Sequence, residues 1–294
     1  MQLDVEGARR YDLFVMFASN QPESFEQLLA VPESALDVTL GAALIARDVY
    51  PMVDPHETVR ELRALGTQLS GQLQGKPPKE QAERLCVFVH DELGFTGNDT
   101  NYYDPKNSLL PDVLSRRTGI PITLALVYLE VARTAGAFAR GVGFPGHFLV
   151  RIDEPDSSLE NGALIDPFAG TIAGPDRLRA LLARAGGVRL SNELLMPTSP
   201  RAMLFRMLSN LKAVFTQRGD FARAHVALTR ILALCPSSPD ALQERAELAL
   251  RLGAVEAARA DFESVRKLAP RSREARVAAT RLQELGRTVT SSLN

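Results

Sequence analysis

Apolar residues recur three and four apart through the first third of the chain, and each such run predicts a helix. Residues 23–29 and 40–49 have this spacing, and Tyr50-Pro51 closes the second run. Pro55-His56-Glu57 opens a third helix that continues to about residue 73, with proline suited to a first helical turn. The loop Gly75-Lys76-Pro77-Pro78 separates it from a fourth helix over 79–93. Periodicity then stops. Residues 94–111 are polar and irregular, and Asn98, Asp99, Asn101, Asp104 and Asn107 suit turns. Within this stretch Asn107 or Ser108 is placed to cap a short helix over 108–114. A long apolar helix follows in RTGIPITLALVYLEVARTAG, residues 117–136. Residues 139–144, 147–152 and 163–165 alternate or run apolar, as strands do. Helices first and a small antiparallel sheet later predict an α+β domain.

The last third repeats itself. Gly219, Ala224, Leu228, Ile231, Leu234 and Pro236 recur 34 positions later as Gly253, Ala258, Phe262, Val265, Leu268 and Pro270. Alanines let paired helices approach, glycine ends one helix in a left-handed cap, and proline stops the next. A period of 34 with this pattern resembles the tetratricopeptide repeat, or TPR, although Arg245 stands where an apolar residue is usual. About two repeats and a last helix over 271–285 are visible. Such an array either binds peptides on its concave face or braces a neighbouring domain. The expected division is therefore residues 1–195, a TPR-like hairpin array over 200–287, and a flexible tail at 288–294.

Charge refines this picture. The net value of -1 argues against a general nucleic-acid binder, yet the two parts differ. From Arg201 onward 16 Lys and Arg face 9 Asp and Glu, a balance of +7; the first 200 residues carry 18 against 26, or -8. Such halves attract one another or present different surfaces to partners. No transmembrane run and no signal peptide is evident, and the two cysteines give no disulfide framework, so a cytoplasmic location is expected. The four histidines lie in separate segments; no HExxH, paired CxxC or phosphate-binding glycine loop is present. Cys86 and His90 share a helix face, but two ligands do not make a zinc site. No metal or other cofactor is implied.

Several blocks, taken together and in order, resemble the SirB1 family. They are Ala43-Leu44-Ile45-Ala46 with Tyr50-Pro51, Leu93-Gly94-Phe95, Tyr103-Asp104-Pro105 with Asn107-Ser108, Gly119-Ile120-Pro121-Ile122-Thr123-Leu124, Phe144-Pro145-Gly146-His147-Phe148 and Asp166-Pro167. The resemblance spans about residues 25–285. It implies a transglutaminase-like domain, of the papain-like cysteine-protease type, followed by TPR-like helices. It fixes the architecture and leaves the reaction open.

A transglutaminase-like triad takes a cysteine at a helix N-terminus, a histidine on a facing strand and an aspartate or asparagine on the next. His147 and Asp166, 19 residues apart on successive strands, suit the last two roles. The superfamily's spacing, 15 residues back from Gly136, puts Pro121 at the cysteine position. Proline has no nucleophile. Thr123 near the helix start and Ser108 in the preceding loop are the candidate substitutes, each of which would depend on His147 as base. A first-turn Thr more often bonds nearby backbone, and Cys86 fits a buried structural thiol. Tyr102, Tyr103 and Asn107 are candidates for the cleft mouth, and Arg116 and Arg117 for pairing with a carboxylate ligand or with solvent.

Two functions compete. In one, the domain is non-catalytic and, with its TPR-like repeats, acts as a protein-binding or scaffolding module. In the other, it is an amide or peptide hydrolase or acyl transferase that uses the His147–Asp166 pair with an unconventional nucleophile or activated water.

Overall fold

The computed structural model of the protein describes residues 22–154 and 162–291. Four helices come first, each starting within two residues of its expected place, although the third ends at Thr67, some six residues earlier than expected. α1 (Phe25–Leu29) starts behind Ser24, whose hydroxyl accepts the Gln27 N–H. α2 (Val38–Arg47) is capped by Asp37, which accepts from Leu40 N at 2.9 Å. α3 (Pro55–Thr67) has Asp54 at its cap and proline at its start. α4 (Pro78–Cys86) gives way to a π-helical stretch, Val87–Glu92.

The short helix after the irregular loop begins two residues later than expected. α5 (Leu110–Arg116) follows Leu109, which offers no side-chain cap, so neither Asn107 nor Ser108 plays that part. Two short strands, β1 (Thr96–Gly97) and β2 (Thr118–Gly119), pair in parallel and fasten the loop to the start of α6 (Pro121–Thr134). α6 is buried on nearly every side, which explains its apolar run.

The sheet is an antiparallel meander, β3 (Phe138–Phe144), β4 (His147–Asp153), β5 (Ala163–Asp166) and β6 (Thr171–Ile172) in that order. The fourth strand was not foreseen; two residues are too few to alternate legibly. Every residue of β4 is buried. The main core lies on one face of the sheet. A second apolar cluster, Val142, Phe144 and Leu149 with Leu178, Leu181 and Leu182 of α7 (Pro175–Arg184), covers the other.

The repeats are α8 (Pro200–Gln217), α9 (Phe221–Leu234), α10 (Pro239–Arg251), α11 (Val255–Leu268) and α12 (Arg273–Ser291). Gly219 and Gly253 take φ of 74° and 76° after α8 and α10, as the repeat pattern predicts. Arg245 is accommodated by a bidentate pair with buried Asp261 at 2.8 and 2.7 Å. The expected tail is helical through Ser291; residues 292–294 lie outside the described residues.

The two parts share one continuous apolar core. α8 packs on α2 at Gly41, where a Cβ would lie 2.7 Å from Leu204 Cδ2. Arg230 grips Asp48 at 2.8 Å through two nitrogens and also pairs with Glu26, while Arg201 pairs with Glu33 at 2.9 Å. These ion pairs join the basic half to the acidic one. Among the described residues no helix is long and apolar enough to cross a membrane.

Candidate functional site

Two hairpin turns and a helix start build the site. His147 is the first residue of β4, straight after the Pro145-Gly146 turn. Asp166 ends β5, and its Oδ1 accepts the backbone N–H groups of Phe168 at 3.0 Å and Ala169 at 3.2 Å, fastening its own loop. Extending the β4–β5 register beyond the ladder brings Phe168 beside His147, and their rings meet edge to face at 6.0 Å. His147 Nε2 lies 2.8 Å from Asp166 Oδ1, and both side chains are buried.

Arg177 of α7 completes the arrangement, with Nε at 2.7 Å and Nη2 at 2.6 Å from Asp166 Oδ2. Burial by itself would raise the Asp166 carboxyl, but the hydrogen bonds and charges of His147 and Arg177 outweigh it and hold it below the usual carboxylate range. An ionised Asp166 only accepts, so the His147 hydrogen sits on Nε2. Whenever the ring is neutral, the lone pair is then on Nδ1. Among the described residues Nδ1 has no hydrogen-bond partner.

His147 opens on a cleft of about 460 Å³, with Asp166 fully buried behind it. Pro121, Tyr102, Phe168 and Leu181 form its apolar walls, and Asp99, Arg177 and Arg184 supply charge. No Cys, Ser or Thr is among the described residues that line it. Pro121 occupies the first position of α6 and lines the same cleft as His147.

Other candidates fall elsewhere. Thr123 is fully buried; its hydroxyl accepts from Ile120 N at 3.1 Å, the reciprocal half of a capping box, and lies 2.7 Å from the Asn107 carbonyl oxygen, which accepts its hydrogen. Asn107 is fully buried too, accepting from Asn98 Nδ2 at 3.0 Å and donating to the Asn101 and Tyr102 carbonyls. It shapes the loop rather than the cleft wall. Ser108 is buried and does not line the cleft. Tyr103 is exposed and touches the cleft only through Tyr102, at 5.4 Å between ring centres. Arg116 pairs with Asp104 at 3.2 Å, and Arg117 lies over the Phe95 ring at 4.6 Å. Cys86 is buried, and burial first, then Asp91, Asp166 and Glu83, push its thiol up to about 12.

Phe168, Arg177 and Arg184 were not foreseen. Phe168 stood beside Asp166-Pro167 in the sequence; Arg177 had no local signal, because only the turn from β6 into α7 brings it back to Asp166. Among the described residues no group of His, Cys, Asp and Glu is arranged to hold a metal ion.

Comparison with known proteins agrees with this architecture. The transglutaminase-like superfamily profile matches residues 56–209, and a tetratricopeptide repeat profile matches 211–283. A UPF0162 protein of Xylella fastidiosa is 34% identical over 255 residues, covering 84% of this chain and 89% of its own. That of Pseudomonas aeruginosa is 32% identical over 76% of this chain and 81% of its own. F-box only protein 21 of mouse is 49% identical over 69 residues, 24% of this chain and 11% of that one. No solved structure matches the chain.

Proposed function

The chain belongs to the transglutaminase-like superfamily and, within it, to the UPF0162 (SirB1-like) family, and from that premise we propose that its cleft binds a ligand without turning it over, the whole acting as a protein-binding or scaffolding module. The observation that carries this reading is Pro121 in the cleft beside His147. Proline at the first helical position supplies neither a thiolate nor an N–H at the point where the fold would place a nucleophile and a donor for a developing oxyanion. Thr123 and Ser108 do not replace it, since neither lines the cleft and the Thr123 hydroxyl is already bonded to backbone. What remains is a polar-floored pocket with an acceptor at His147 Nδ1 and cations at Arg177 and Arg184. The TPR-like helices add the surface by which such a module holds a protein partner.

A second reading has one observation in its favour. His147 lines the cleft, is held through Nε2 by an ionised Asp166 and has no hydrogen bond at Nδ1 among the described residues, the arrangement that a base activating water would need. Mass-spectrometric analysis of a glutamine-containing peptide library, incubated with wild type and with His147→Ala, separates the two. Binding without chemistry predicts no cleavage or deamidation by either. Turnover by wild type that disappears in His147→Ala would establish the hydrolytic reading instead. A Pro121→Cys variant checks the frame: its new thiol should be alkylated by iodoacetamide roughly tenfold faster than the same thiol in Pro121→Cys/His147→Ala, because an imidazolium that has taken the thiol proton stabilises the thiolate.

A further inference from the structure

α6 touches two clefts. Its first residue, Pro121, lines the one at His147, whereas Leu129, Glu130 and Arg133 near its other end line a larger one of about 750 Å³. That second cleft is formed where α6, β3, residues 34–39 and the start of α8 meet. Its charges are layered except at Asp37, whose carboxylate, 31% exposed, lines the same cleft and pairs with Arg63. Glu130 lies at the bottom, its side chain 6% exposed, and accepts from Thr39 Oγ1 at 2.9 Å, Arg63 Nε at 2.7 Å and Arg133. Arg140 pairs with Asp153, 1% exposed, at 2.6 Å. The three guanidinium-bearing side chains are much more open, at 38% for Arg63, 59% for Arg133 and 35% for Arg140.

The arginines share a pattern. Each spends Nε and Nη2 on a carboxylate, Arg63 on Glu130 and Asp37, Arg133 on Glu130, and Arg140 on Asp153. Each leaves Nη1 with no hydrogen-bond partner among the described residues. A guanidinium held by a buried carboxylate loses little further freedom when its remaining donors meet an anion. Leu36, Val38, Leu129 and Met203 supply an apolar wall beside these donors. The volume suits a small molecule rather than a folded partner. We propose that this cleft binds a small organic anion with an apolar body and a phosphate or carboxylate head. The ligand would touch α6 and the first turns of α8 together, and so bridge the transglutaminase-like domain and the repeats. The inference is independent of whether the His147 cleft catalyses anything.

Calorimetric titration of the full chain with octyl phosphate, and separately with inorganic phosphate, tests it. Octyl phosphate should bind saturably at one site, roughly tenfold more tightly than inorganic phosphate, a gap of about 1.4 kcal/mol. Arg133→Gln should weaken octyl phosphate by about tenfold, since the charge-assisted contact is lost while Arg63 and Thr39 still satisfy Glu130. Ala35→Glu, a substitution at an exposed residue of the cleft, should weaken it likewise by repulsion without disturbing any ion pair. His147→Ala should bind as wild type does. Absence of saturable binding up to millimolar octyl phosphate would overturn the proposal. So would unchanged affinity in both Arg133→Gln and Ala35→Glu, or loss of binding in His147→Ala.

Discussion

Gly170 sits in the turn that holds Asp166, at φ +68°, and a Cβ there would lie 2.2 Å from His90 Cγ. The ring cannot yield easily, because its Nδ1 lies 2.9 Å from the Phe95 carbonyl oxygen. Gly170→Ala therefore combines left-handed strain with a clash against an anchored ring. Urea unfolding should show a loss of about 2 kcal/mol or more, with roughly 1–2 from the backbone alone. Part of the site was legible residue by residue. His147 and Asp166 could be paired because each ends or begins a strand in a short stretch of meander, where neighbours in sequence are neighbours in space. Thr123 and Asn107 could not be placed so well. Sequence gives their chemistry but not the direction of their side chains, and both turned inward to satisfy backbone groups. Arg177 was invisible for the opposite reason: its role depends on a turn that no local pattern encodes.

At the scale of elements, the helices were readable from periodicity and caps, while the places that resisted were those decided by tertiary contact. β6 is two residues long, and α5 took its start from the packing of Leu110, Val113 and Leu114 rather than from a capping side chain. Arg245 is the clearest case. An apolar residue is usual at that position of the repeat, but here α10 carries a cation and α11 answers with Asp261, 7% exposed. Arg245→Leu should restore the repeat pattern and still destabilise, by about 3 kcal/mol, because it leaves a buried carboxylate unpaired. Arg245→Leu/Asp261→Leu should recover most of that loss. Thermal unfolding of both variants measures the difference; equal stability of the single and double variants would show that the unpaired carboxylate is not the source of the loss.

For the whole molecule, the buried carboxylates set the response to acid. Burial would raise Glu130, yet Arg133 and Arg63 bring its carboxyl below the ordinary range, as His147 and Arg177 do for Asp166. A carboxyl depressed in the folded state stabilises fully above its unfolded pKa and loses that contribution as pH falls through its folded value. Stability should therefore hold from neutrality down to the usual carboxylate range and decline below it. Glu130→Gln should cost about 3 kcal/mol at pH 7, the scale of breaking a buried ion pair. Its deficit against wild type should shrink as the pH falls below that range. Chemical denaturation repeated across pH gives both curves.

The seat of α8 on Gly41 fixes where the repeats stand relative to the His147 cleft, and the segment leading into α8 is itself fastened to β3, with Thr198 Oγ1 accepting from Gly143 N at 2.6 Å and Thr198 N donating to the Gly141 carbonyl at 2.8 Å. A flexible tether makes a second contact a search through chain conformations, and its effective concentration falls as the tether lengthens. Here that search is already done. A partner long enough to engage the repeat groove and the cleft together would gain avidity from two individually weak contacts, and only if its own span matched the fixed separation. Under the scaffolding function proposed above, that rigidity would make the protein a gauge of its partner's length as well as of its chemistry.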